Sequence, residues 1–370
     1  MAAGEPPSPP RASPPRASPP QASPPQASPP RTNPRSAPGE LELIRLIRRI
    51  AEGGPAERVE TGIGDDTAVL RPQPGARLLA TTDVVVEDVH FRRAWASPFD
   101  IGWKAMAVNL SDIAGKGGRP LWALVGLALP APVDPAEVEA LYEGMRQAAS
   151  PHGVAIVGGD TSLSPSGWFV NVTLLGEHLG APRLRSAARP GDAVAVTGTL
   201  GRSAAGLAAL EAGRARLGAV RPDMLEAVTS AHLRPTPRVA EGRWLGAAAG
   251  VHAMMDCSDG LATDLRHVCR ESRVGARVAL DRLPVDPAAR EIAAAVDADA
   301  LAWATSGGED FELLLTCDSA DVDALRDGLG RATGTALTVV GEIGTLEGVT
   351  FLDAGGLPVA MRAGYEHFSG

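Results

Sequence analysis

Residues 97–112 read Ser-Pro-Phe-Asp-Ile-Gly-Trp-Lys-Ala-Met-Ala-Val-Asn-Leu-Ser-Asp. Ser97 is a favourable N-cap and Pro98 suits the first helical position. Trp103, Met106, Ala107 and Leu110 then recur along one helical stripe, so the stretch predicts a core-facing helix that brings Asp112 to its far end. Working outward, the ending Asn109-Leu110-Ser111-Asp112 has five counterparts. They are Gly62-Ile63-Gly64-Asp65-Asp66, Thr81-Thr82-Asp83, Gly158-Gly159-Asp160, Asp256-Cys257-Ser258-Asp259-Gly260 and Ser306-Gly307-Gly308-Glu309-Asp310. Each sets carboxylates beside small or hydroxyl residues and next to an apolar run. A single such patch is an ordinary turn. Six in one chain form a set of hard oxygen donors suited to Mg²⁺ on phosphates, and they read as one magnesium–nucleotide site.

The chain has 370 residues, enough for two domains. Its 35 basic and 44 acidic residues give a net charge of −9, and no Lys/Arg stripe stands out, which excludes a nucleic-acid surface. No apolar run of about 18 residues predicts a membrane span, and the start lacks the pattern of a secretory signal. Cys257, Cys269 and Cys317 form no CxxC pair and read as reduced thiols of a cytoplasmic protein, Cys257 as a small packing residue. Residues 1–38 repeat Ala-Ser-Pro-Pro-(Arg/Gln) and read as a disordered Pro-rich tail.

Beyond the tail, helical spacing is expected from Leu41 to Ile50, over 137–149, 202–212, 236–248, 260–272 and 320–332. Strands are expected at 78–86, 121–129, 154–157, 169–175, 193–197, 251–255, 276–280, 311–316 and 336–341. The β-branched run in 78–86 predicts burial on both faces. A Gly/Pro-rich break near 180–191 places a domain boundary there. The expected organisation is a tail over 1–38, an N-terminal domain over 39–180 and a C-terminal domain over 181–370, α/β or α+β overall. No GxxxxGK[ST], His-Arg-Asp or Asp-Phe-Gly occurs, so nucleotide chemistry here needs another architecture. Thr197-Gly198-Thr199-Leu200-Gly201, between a strand and a helix, is a structural turn or a phosphate contact.

In order and wording the patches resemble the thiamine-monophosphate kinases. The resemblance runs from about Gly39 to Phe368. It rests on Gly-Ile-Gly-Asp-Asp-Thr-Ala (62–68), Ala-Val-Asn-Leu-Ser-Asp-Ile-Ala (107–114), Gly-Gly-Asp-Thr (158–161), Arg-Pro-Gly-Asp (189–192), Val-Thr-Gly-Thr-Leu-Gly (196–201), His-Leu-Arg-Pro-Thr-Pro-Arg (232–238), Ser-Asp-Gly-Leu (258–261), Ser-Gly-Gly-Glu-Asp-Phe-Glu (306–312) and Gly-Tyr-Glu-His-Phe (364–368). The wider superfamily includes aminoimidazole ribonucleotide synthetase, selenophosphate synthetase and a hydrogenase maturation factor.

The resemblance implies the two-domain aminoimidazole-ribonucleotide-synthetase-like fold, with the N-terminal domain pairing in a homodimer and ATP in the cleft between domains. It implies transfer of the ATP γ-phosphoryl group to thiamine phosphate. It carries over Asp66, Thr81, Thr82, Asp83, Asp112, Asp160, Asp256 and Asp259 as Mg²⁺ ligands, with Asp112, Asp160 and Asp259 central to catalysis. Gly159, Asp160, Arg185, Ser258 and Tyr142 carry over as nucleotide contacts, Tyr142 alternatively as a core residue. His90, Glu309 and Tyr365 carry over as acceptor contacts, Glu309 and the Tyr365 ring answering the thiazolium charge. The chain departs in Arg362, where an aromatic residue can occur. A sibling ATP enzyme and a non-catalytic nucleotide-binding scaffold are the rival readings. The selenium enzyme would carry a reactive cysteine near the N-terminal glycines, and no cysteine precedes Cys257.

Overall fold

A computed structural model describes residues 39–361 and Gly364. The first half runs α1 (Glu40–Glu52), β1 (Val59–Thr61), β2 (Val69–Leu70), β3 (Arg77–Val86), α2 (Pro98–Gly115), β4 (Arg119–Leu129), α3 (Pro135–Ala149), β5 (Ala155–Leu163) and β6 (Phe169–His178). The second half runs β7 (Ala193–Thr197), α4 (Arg202–Arg216), α5 (Pro222–Leu233), α6 (Val239–Ala247), β8 (Val251–Asp256), α7 (Leu261–Ser272), β9 (Gly275–Ala279), α8 (Pro287–Val296), α9 (Ala300–Ser306), β10 (Leu313–Cys317), α10 (Val322–Thr333), β11 (Leu337–Gly344), β12 (Gly348–Leu352) and β13 (Pro358–Val359). Helices α5, α8 and α9 lie where the sequence raised no expectation. Helices α8 and α9 are short, and α5 and α8 open on a proline that reads equally well as a turn.

Among the described residues, the first half builds a four-stranded sheet in the order β3-β6-β4-β5, with β4 and β5 parallel and the other pairs antiparallel. The second half builds a seven-stranded sheet, β13-β12-β9-β11-β7-β10-β8. Both sheets carry helices, which is the α/β architecture expected.

Helix α2 is the shared element. Ser97 caps it by accepting from the Asp100 backbone N–H, and the Asp100 carboxylate accepts from the Ser97 N–H at 3.0 Å, a closed capping box. Ile101, Met106, Leu110 and Ile113 are buried in one core with Val172 and Leu174 of β6, Met254 of β8 and Leu313 of β10. The helix is therefore buried between the two halves. This explains why its polar residues Lys104, Asn109 and Ser111 are buried as well. Trp103 Nε1 adds a bond to the Pro235 carbonyl at 2.8 Å.

Strand β3 corrects the expectation of burial on both faces. It is an edge strand, with Val85 in the core and Leu78 57% exposed. Side chains alternate along it, so Thr81 and Asp83 face α2 while Thr82 and Val84 share the opposite face with Thr173 and Asn171 of β6. The β-branched residues thus serve a core on one side and an open sheet face on the other.

Candidate active site

The α2 end and the strand ends converge. The Thr81 hydroxyl donates to the Asp112 carboxylate. The Asp83 N–H donates to Asn109 Oδ1 at 3.1 Å. Ser111 Oγ donates to Asp256 Oδ2 at 2.7 Å. Burial first, and then the charges of Asp112, Asp256 and Asp259, push the Asp83 carboxyl up to about 7. Asp256 is raised by burial and by Asp112, while the Ser111 bond opposes the shift. Asp264, buried in the first turn of α7, is raised well above its ordinary value by burial and then by Asp256 and Asp259; its Oδ1 is buried without a hydrogen-bond partner.

Two cations stand nearby. Lys116 caps the C-terminus of α2 and donates to the Met254 carbonyl at 3.2 Å. Its pKa is lowered by burial and by the Arg185 charge, while Asp256 and Asp112 act to raise it. The arginine carbonyl accepts from Ser272 Oγ at 2.7 Å, which fixes the segment against α7.

A second group lies further up α2. Lys104 Nζ donates to Glu309 Oε2 at 2.9 Å and to the His90 carbonyl at 3.3 Å. His232 Nδ1 is 3.3 Å from the same Glu309 oxygen. The His90 ring accepts from the Val86 N–H through Nδ1 at 3.1 Å. The Glu309 N–H donates to the Ser258 carbonyl at 2.7 Å, so this group and the carboxylate cluster are joined through residues 256–259. Lys104 and Asp112 are eight residues apart on one helix, roughly 12 Å along its axis.

Gly364 also reaches the site. The Gly364 N–H donates to Thr263 Oγ1 at 2.9 Å, and a Cβ on Gly364 would stand 1.9 Å from the Asp259 carbonyl. Tyr365 and Arg362 lie outside the described residues.

The structure therefore brings together Thr81, Asp83, Asp112, Asp256 and Asp259, with Ser258 and Arg185 beside them and His90 and Glu309 adjoining. Other expected members stand apart. Asp66 sits in an exposed loop, its N–H bonded to Asp65 Oδ1 at 2.7 Å. The Thr82 hydroxyl contacts Thr173 Oγ1 at 2.9 Å on the far face of the sheet, the result of strand alternation. Asp160 is exposed on β5, opposite Gly126, which pairs in turn with Asn171. It shares the Thr82 face, at the edge opposite β3 and three strand spacings away, roughly 14 Å. Neighbouring Gly159 has φ 154°, and a Cβ there would stand 1.9 Å from the Val125 carbonyl, so the close approach of β5 to β4 requires glycine. Tyr142 is 2% exposed on the core side of α3, with no open face for a base; the helix-core alternative describes it.

The turn at 197–201 is structural. The Asp310 carboxyl group accepts from the N–H groups of Gly201 and Ser203 at 2.6 and 3.1 Å, so an internal side chain already holds the start of α4. Cys257 is buried, as a packing residue should be.

Sequence reasoning gave no role to Lys104, Lys116, His232, Ser111 or Asp264. A signal existed for Lys104, a lone basic residue beside the apolar stripe of a helix.

The donor set suits hard divalent cations: several crowded carboxylates, a hydroxyl, and an orphaned buried carboxylate oxygen. The fit is one of charge and donor type. Among the described residues no three such groups already stand close enough to hold one ion.

Comparison with known proteins shows the family. Residues 64–178 match the AIR synthase related protein N-terminal domain and residues 189–352 its C-terminal domain. The chain is 39% identical over 318 residues to the thiamine-monophosphate kinase of Salmonella typhimurium, covering 84% of this chain and 93% of the relative. The chain belongs to the thiamine-monophosphate kinase family. A Mycobacterium tuberculosis family member is 40% identical over 279 residues, covering 75% of this chain and 80% of its own. The crystal structure of thiamine-monophosphate kinase from Stenotrophomonas maltophilia superposes with a TM-score of 0.73 at 37% identity, covering 84% of this chain and 95% of that one. A structure described as AaThiL complexed with AMPPCP and TMP gives 0.70 at 34%, covering 89% and 97%. HypE, a hydrogenase maturation protein of E. coli, shares the fold at 21% identity.

Proposed function

We propose that the protein is a thiamine-phosphate kinase. It transfers the γ-phosphoryl group of ATP to thiamine phosphate, giving thiamine diphosphate and ADP. The observation that carries this reading is the cluster of Asp83, Asp112, Asp256 and Asp259 in the seam between the halves, with Lys116 and Arg185 beside it and the His90–Glu309 group adjoining. The family member complexed with AMPPCP, a methylene-bridged ATP analogue, and TMP supports the same pair of substrates.

Thr81, Asp83, Asp112, Asp256 and Asp259 would hold Mg²⁺. Bound there, the ions would neutralise phosphate oxygens and ease the approach of two anions. The protein's own task is positioning. The acceptor oxygen belongs to a phosphomonoester whose second pKa is about 6, so it is largely ionised at neutral pH and no side chain need remove a proton. Ser111 fixes the Asp256 carboxylate. Arg185 and Lys116 bring positive charge to the nucleotide side, and Ser258 lines the same turn. His90 and Glu309 meet the acceptor. Direct in-line transfer follows, without a phosphoenzyme.

Residues 39–180 and 181–370 act as two domains about this seam, and the protein works as a homodimer. Supporting the dimer, Thr82, Val84, Phe169, Asn171 and Gly126 share a sheet face that carries the exposed Val84 and Phe169. Asp160, Gly159 and Asp66 stay outside the cluster within one chain, and in a dimer the Asp160 face would be covered. Location in the cytoplasm is part of the same reading. The buried free thiols of Cys257, Cys269 and Cys317 suit a reducing compartment, and among the described residues no helix is long and apolar enough to cross a membrane.

The test is product analysis with purified protein, ATP, Mg²⁺ and either thiamine phosphate or thiamine. Thiamine diphosphate should form only from thiamine phosphate and only without chelator. Equal use of both acceptors, or full activity in chelator, would contradict the proposal.

A further inference from the structure

Lys104 is the only basic residue in α2 and is 3% exposed. A buried ammonium is strongly disfavoured unless it is paired and hydrogen-bonded. Its two acceptors are the residues assigned above to the acceptor site. Nζ reaches Glu309 Oε2 at 2.9 Å and the His90 carbonyl at 3.3 Å.

His90 and Lys104 belong to the first half, while Glu309 belongs to the second. One ammonium therefore ties the two sides of the pocket. Glu309 needs such a tie. Its φ is 65°, a left-handed conformation uncommon for a residue other than glycine. The loop is held at its backbone by Ser258 and at its carboxylate by Lys104, with His232 Nδ1 3.3 Å away and itself 3.1 Å from Ser203 Oγ.

We propose that Lys104 is a positioning residue of the acceptor site, its ammonium locking the His90 backbone and the Glu309 carboxylate into one geometry across the seam. This rests on the reading of His90 and Glu309 as acceptor contacts. The charge of Glu309 is thereby already matched. A cationic acceptor ring meets a Lys–Glu pair held in place, not a bare carboxylate, and affinity for the acceptor depends on Lys104 as much as on Glu309.

The test is a double-mutant cycle on the full chain with Lys104→Met, Lys104→Arg, Glu309→Gln and the Lys104→Met/Glu309→Gln pair. KM is measured for each substrate in turn, direct binding of thiamine phosphate by calorimetry, and Tm for each variant. Lys104→Met should raise the KM and Kd for thiamine phosphate about tenfold or more while the KM for ATP stays within about twofold. Glu309→Gln should do the same, the double variant should be no worse than either single one, and Lys104→Arg should restore part of the affinity. Lys104→Met leaves Glu309 without its cation; should that variant fail to fold, the double variant and Lys104→Arg still decide. Independent additive effects, equal changes in both KM values, or a lowered Tm with unchanged acceptor affinity would overturn the inference. A wild-type protein that neither binds nor phosphorylates thiamine phosphate would instead overturn the acceptor assignment, and this inference with it.

Discussion

Ser111 Oγ donates to Asp256 Oδ2 at 2.7 Å, joining the last turns of α2 to the last residue of β8. Both residues are buried, and each belongs to a different half of the chain. The bond holds one carboxylate of the seam in a fixed direction while Asp112, one residue on, faces β3. The charge cluster is thus assembled from elements far apart in sequence, and its charges add to burial in raising Asp83 to about 7.

Asp112→Ala and Asp259→Ala should abolish product formation and leave the fold intact. Each variant removes one member of a set of mutually repelling carboxylates. Without Mg²⁺ its Tm should equal or exceed that of the parent, and the rise in Tm on adding Mg²⁺ should shrink. Thermal melts with and without the ion, beside product analysis, check both parts. A variant with near-normal turnover would make the residue a mere cap.

His232 makes stability pH-dependent. Burial, and then the Lys104 charge, lower its pKa from 6.5 to about 4, with Glu309 opposing. An unfolded chain takes up a proton near pH 6.5 that the folded chain refuses until about 4. Stability therefore falls as pH drops through that window, by on the order of 3 kcal/mol in all. Glu309, held low by Lys104 and His232 against its burial, adds a further loss only below about 4.5. Urea midpoints for the parent and His232→Gln between pH 7.5 and 4.5 should show a flatter profile in the variant. Parallel profiles would remove His232 from the account.

Much of the fold was legible because its signals are local. Ser97-Pro98, the stripe from Trp103 to Leu110 and the β-branched run at 84–86 each fix an element from neighbours in sequence. The carboxylates Asp83, Asp112, Asp256 and Asp259 were legible as chemistry through their setting beside small residues. What stayed hidden depends on facing and on partners. Thr82 and Thr81 are adjacent in sequence yet lie on opposite sheet faces. Asp160 resembles Asp112 in its setting but sits on the outer strand. Lys104 gains its meaning only when Glu309, 205 positions later, is placed against it.

The C-terminal segment should matter for turnover through Gly364. A Cβ there would stand 1.9 Å from the Asp259 carbonyl and 2.8 Å from Thr263 Oγ1. Backbone cannot yield cheaply, so Gly364→Ala should push the backbone at 364 away from Asp259. The contact is a local one between backbones, and Tm should change by no more than a few degrees. The kcat, or the KM for thiamine phosphate, should worsen several-fold, as steady-state kinetics would register. Unchanged kinetics would detach the segment from the site.

The open sheet face offers the last prediction. A Cβ on Gly126 would meet the Asn171 side chain at 3.6 to 3.8 Å, ordinary contact distances, so a larger residue fits the isolated chain. Gly126→Arg would place a charge in the middle of this face, between Asn171 of β6 and Asp160 of β5. If two copies pair through it, the bulk of that long side chain would hold them apart, and association should weaken greatly. Sedimentation should then show a parent dimer and a variant monomer, each with a native circular dichroism spectrum. Because Asp160 lies on the same face, turnover should fall with the loss of the dimer and recover in part at high protein concentration. A variant that stays dimeric would place the contact elsewhere. A monomeric variant with full activity would separate Asp160 from the reaction.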